Sequence, residues 1–151
     1  MRRLRAAVAV LAAAAACARH QPAPGIFQPT LAAATALAQQ RYAGDLVVFI
    51  SDGSPACRQA REQVFGATPL GRFLGANFAA VEVPAGSAPA REVRARYRVR
   101  DDRPRIIIAS DRLDHLRLHI VRLDHINQPK LLQQLQAIKA AKSIADFRRA
   151  R

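Results

Sequence analysis

The run Leu46-Val47-Val48-Phe49-Ile50 constrains this chain more than any other feature. Five consecutive apolar residues are too few for a helix and leave no polar face, so they predict a strand buried on both sides. Ile106-Ile107-Ile108 predicts a second strand core, entered through Pro104 and left at Ser110-Asp111. A third is expected from Asn77 to Val83, ended by Pro84 and Gly86. Leu116, Leu118 and Ile120 alternate with Arg117 and His119, the pattern of a half-exposed strand.

Helical spacing fills the intervals. Leu31, Ala34, Leu37 and Ala38 recur on one face, with Thr30 as N-cap and a stop near Ala43-Gly44. Ser54-Pro55 reads as cap and first helical residue of a helix reaching about Phe65. Serine accepts from free amides there, and proline needs no amide partner. Pro69 to Leu74 predicts a further helical turn or short helix, and Pro89 to Tyr97 a helix with Val93 and Tyr97 inward. Leu131, Leu135 and Ile138 share one face of a last, long helix, whose basic end (Arg148, Arg149, Arg151) complements its dipole. The expected class is therefore α/β, a central four-stranded sheet flanked by helices in the order α-β-α-β-α-β-β-α.

The first residues read as an address rather than as structure. A basic start, Arg2, Arg3 and Arg5, precedes the apolar run from Ala6 to Ala16, the order of a secretory signal peptide. About eleven residues are too few to span a bilayer, which takes about 20. Ala14-Ala15-Ala16-Cys17 resembles a lipobox, with Ala14 where Leu is usual, so Cys17 is a candidate for lipidation and membrane attachment. Ordinary cleavage after Ala16 or Ala18 is the alternative. The expected division is a signal peptide over 1–16, a tether over 17–27, one domain over 28–147 and a basic tail over 148–151, exported to the periplasm or cell envelope.

Net charge is +13, from 24 basic and 11 acidic residues. That balance attracts anionic polymers or headgroups at low salt. The arginines are dispersed, no nucleic-acid motif accompanies them, and nucleic acid is not an expected partner. The seven glycines are scattered and mark turns, so no phosphate-cradling loop is present. His115 and His119 are four apart, but in a turn and a strand with one nearby cysteine at most, which is no metal signature. No metal or other cofactor is expected. Arg112-Leu113-Asp114-His115 and Arg122-Leu123-Asp124-His125 are similar phrases ten residues apart, read as similar polar turns.

A buried strand, a loop, a cysteine at the start of the next helix and a proline directly before the third strand come in the order of thioredoxin-like domains. The chain resembles thioredoxin, and more closely the exported thioredoxin-related, thiol-disulfide interchange proteins, through Cys57-Arg58, Val64-Phe65, Asn77-Phe78 and Ala95-Arg96-Tyr97. The likeness covers roughly residues 30 to 140 and implies a mixed sheet. In that family a Cys-x-x-Cys pair opens the helix; the first cysteine attacks a disulfide and the second resolves it. Here the motif is Ser54-Pro55-Ala56-Cys57, with serine in the attacking place. Gly53 stands where Trp is frequent, and the buried acid of thioredoxin falls at Val48. Pro104 matches the family's cis-proline, and Arg103 holds the preceding, substrate-tuning position. Ser54, Pro55, Ala56, Arg103 and Pro104 are thus the expected motif and groove residues.

Serine cannot perform disulfide exchange, which needs a sulfur nucleophile. A hydrolytic role would require a base at Ser54, and none of His115, His119 or His125 is near it in sequence. Ser54 therefore reads as a cap. Cys57 is the one candidate catalytic residue: the helix N-terminus and Arg58 or Arg61 favour its thiolate, whereas shielding from solvent makes it inert. An unlipidated Cys17 could also pair with it. Three functions follow: a redox-degenerate protein that binds or assists another exported protein or peptide, a single-cysteine oxidoreductase acting through Cys57, or a basic adaptor for anionic polymer or lipid.

Overall fold

The computed structural model describes residues 26–110 and 116–140. The leader with Cys17, the tether up to residue 25, the 112–115 phrase with His115, and the basic tail lie outside the described residues. So do the expected side-chain alternation of 116–120 and His119. Among the described residues, five strands and five helices follow one another as β1 (Phe27–Gln28), α1 (Leu31–Arg41), β2 (Asp45–Ser51), α2 (Pro55–Phe65), α3 (Pro69–Asn77), β3 (Ala79–Pro84), α4 (Ala88–Arg96), β4 (Arg105–Ser110), β5 (Leu116–Arg122) and α5 (Gln128–Ala140).

The strands form one mixed sheet in the order β1-β3-β2-β4-β5. β1 and β2 run parallel to β3, while β4 runs antiparallel to both β2 and β5. β2 is the central strand and all seven of its residues are buried. Its side chains alternate between two cores, as a strand covered on both faces must. Val47 and Phe49 meet Val64, Leu74 and Leu135, below α2, α3 and α5. Leu46, Val48 and Ile50 meet Ala34, Ala38, Val93 and Tyr97, below α1 and α4. Each of the larger side chains contributes roughly 1.5–3 kcal/mol by leaving water.

Caps explain where the helices start. The Oγ atoms of Thr30, Ser54, Thr68 and Ser87 accept from amides three residues on, at 3.0–3.3 Å. In three of these helices a proline follows in the first turn, where its missing N–H costs nothing. Behind α1, Ala43 and Gly44 both take positive φ, which turns the chain into β2.

Two expectations need correction. The sheet has five strands rather than four, because Phe27–Gln28 pairs with Ala80 and Val81. The Phe27 ring, 4.7 Å between centroids from Phe65, holds this short strand against the core. Asn77 ends α3 instead of opening β3. Its Nδ2 donates back to the Phe73 carbonyl at 2.9 Å, and the Phe78 amide closes the helix on Leu74.

Candidate functional site

The carboxyl end of β2 delivers the motif. Asp52 and Gly53 turn the chain, with Gly53 at φ +75°, a conformation glycine adopts without steric cost. Ser54 then caps α2 by accepting from the Cys57 amide at 3.3 Å. Its own amide donates to Asp52 Oδ1 at 2.9 Å, and the Cys57 Sγ donates to the same oxygen at 3.1 Å. The Ser54 amide first, then the Ser54 hydroxyl and the Cys57 thiol, hold the Asp52 carboxyl below the usual aspartate value of 3.8.

Cys57 itself is 1% exposed and unpaired with any other described cysteine. It packs with Val47, Phe49 and Val64 as part of the core. The arginines expected to favour its thiolate are engaged elsewhere. Arg58 Nη1 donates to the Gly53 carbonyl at 2.9 Å, and Arg61 pairs with Glu82.

A groove of about 320 Å³ opens beside the motif. Asp52, Ser54 and Ala56 form one wall, and Arg103, Pro104 and Arg105 another. Arg122, Leu123 and Asp124, at the end of β5, complete it. Of the expected site residues, Ser54, Ala56, Arg103 and Pro104 are therefore brought together. Pro55 sits exposed on the first turn of α2, outside the lining, and Cys57 lies beneath the surface. One detail differs: the Arg103–Pro104 peptide is trans, as is every described peptide. Trans is the lower-energy form of an X–Pro bond by about 0.5–1 kcal/mol, and the surrounding bonds hold this loop in it.

Those bonds come from two residues. Arg94 on α4 is only 7% exposed, and its guanidinium reaches the carbonyls of Ala85 (3.1 Å), Asp102 (2.7 Å) and Arg103 (3.4 Å). Asp101 accepts from the Arg103 amide at 3.2 Å and from Arg105 Nε at 2.8 Å, with a further bond from Arg105 Nη2. The Arg105 side chain is the main reason the Asp101 carboxyl lies below its usual value. Across the groove, Arg122 Nη2 pairs with Asp124 at 3.1 Å.

Sequence reasoning missed Asp52, Arg105 and the groove role of Arg122 to Asp124. For Asp52 the signal was an acid two residues before a capping serine, an Asx-turn pattern. The 122–125 phrase was visible, but nothing in it says which residues face the motif. His125 is largely exposed, lies 3.7 Å from Asp124, and belongs to a smaller cavity with Asn127 and Lys130. Among the described residues no group of acids, histidines and cysteines could hold a metal ion. None of their helices is long and apolar enough to cross a membrane.

No family model matches the chain, and no curated protein matches it. Among solved structures, the solution structure of a thioredoxin from Thermus thermophilus is similar, with a TM-score of 0.53 and 22% sequence identity. The match covers 71% of this chain and 82% of that one. The fold is thioredoxin-like.

Proposed function

We propose that this chain is an exported, redox-degenerate thioredoxin-like protein that binds another envelope protein or peptide in the groove beside Ser54. One observation carries the reading: the groove is open, but no thiol faces it from the motif. The attacking position is a serine whose oxygen caps α2, and the remaining Cys57 thiol is buried against Asp52. Disulfide exchange requires an accessible thiolate, so neither residue supports a conventional dithiol cycle. Substrate contact needs only the groove walls. The basic-then-apolar start of the sequence supports export, and Cys17 is the residue on which a lipid would anchor the protein.

The test has two parts. The domain from residue 18 onward is titrated with an extended, cysteine-free peptide while amide shifts are followed by NMR. Shifts concentrated at Asp52 to Ala56 and Arg103 to Arg105 are expected, together with no catalysed reduction of insulin disulfides. Catalytic turnover, or a peptide that perturbs none of those amides, overturns the reading. Mass spectrometry of the full chain made in a bacterial host examines export separately, since a lipidated Cys17 has a defined mass.

A further inference from the structure

Granting that groove, we infer that it selects peptide segments carrying a carboxylate, and that Arg103 is the residue that reads it. Three guanidiniums line the site, and two are already neutralised. Arg105 is held by both oxygens of Asp101, and its side chain is 15% exposed. Arg122 is paired with Asp124. Arg103 is exposed, and its guanidinium makes no hydrogen bond or close ion pair among the described residues; Asp101 feels its charge, but that carboxylate is taken by Arg105 and the Arg103 amide.

Its backbone, in contrast, is fixed. The Arg103 amide donates to Asp101, its carbonyl accepts from the buried Arg94, and Pro104 follows with its φ set by the ring. A cation on a preorganised backbone recognises an anion at lower entropic cost than one on a mobile loop. The rest of the lining has little to offer an anion. Pro104 has no N–H, the Ser54 amide is spent on Asp52, and Asp52, which shares the lining, repels negative charge. A carboxylate entering the groove therefore settles on Arg103, where a charge-assisted, two-pronged bond is available.

The carboxylate is that of the partner peptide that the groove reading supplies; residues 1–44 carry no acid to compete for Arg103. Without the leader arginines Arg2, Arg3 and Arg5 the exported domain keeps a net charge of about +10, which would also steer an acidic partner toward it and speed encounter.

Fluorescence anisotropy with three labelled peptides, identical except for a central Glu, Gln or Lys, tests the inference. The wild-type domain should bind the Glu peptide about 5–10-fold more tightly than the Gln peptide at low salt, with the gap narrowing as salt is added. Arg103→Gln should abolish the preference, and Arg103→Glu should transfer it to the Lys peptide. Arg96→Gln, an equal loss of charge on α4, should leave it intact, which separates local reading from the overall field. Equal binding of the Glu and Gln peptides by the wild type overturns the inference and leaves the groove standing. Failure to bind any of the three overturns the groove and the inference together.

Discussion

Asp45 and Asp52 bracket the same central strand, and the two ends of the sheet treat them in opposite ways. Asp45 is 0% exposed and fully engaged: Ser110 Oγ donates to one oxygen at 2.5 Å and Lys139 Nζ to the other at 2.6 Å. Lys139 also reaches the Asn77 carbonyl at 3.2 Å and lies over the Phe78 ring, 5.4 Å from its centroid. That cluster ties α5 to α3 and to the adjoining ends of β2 and β4, closing one end of the sheet. About 20 Å away along the strand, Asp52 is exposed and forms a wall of an open groove. Polar groups satisfied internally hold a fold together; polar groups left toward water can recognise something else.

Lys139→Met should have the largest effect, because it strands a buried carboxylate. A loss of about 3 kcal/mol in urea unfolding is expected, at the low end for a buried pair since Lys139 is partly exposed, with peptide binding unchanged. Arg94→Met comes next. It leaves the Asp102 and Arg103 carbonyls without their donor and should cost about 1–3 kcal/mol while also weakening peptide binding. A variant that lost stability and kept full affinity would remove Arg94 from the groove account.

Ser54→Ala removes one cap and should cost about 1 kcal/mol by the same unfolding measurement. The smallest effect belongs to Asp52. Its folded pKa lies below 3.8, so the stability it contributes is present in full above that value and is lost as pH falls through the depressed one. The difference in urea midpoint between wild type and Asp52→Asn should therefore shrink as pH falls below 3.8. A difference that grows on acidification would contradict the hydrogen bonds assigned to Asp52.

Much of the fold was legible because its elements carry their own period. Leu46 to Ile50 and Ile106 to Ile108 could be little other than buried strands, and Thr30 and Ser54 announced helix starts through cap chemistry. β1 was not legible, since two residues have no period and Phe27 is fixed by a ring 38 positions away in sequence. At the site, Ser54, Ala56, Arg103 and Pro104 came from a family pattern, whereas Arg122 to Asp124 join them only through the register of β5 on β4. Asp45 and Lys139, 94 residues apart, show the same limit: their pairing exists only in the folded chain.

The motif departs from a dithiol pair at Ser54, so restoring a cysteine there asks whether that residue accounts for the lack of a thiol in the groove. Insulin-disulfide reduction with dithiothreitol as reductant should be measured for the wild type, Ser54→Cys and Ser54→Cys combined with Cys57→Ser. Background rates are expected for the wild type, a clear gain for Ser54→Cys, and loss of turnover in the double variant. A wild type that already turns over as fast as Ser54→Cys overturns the redox-degenerate reading.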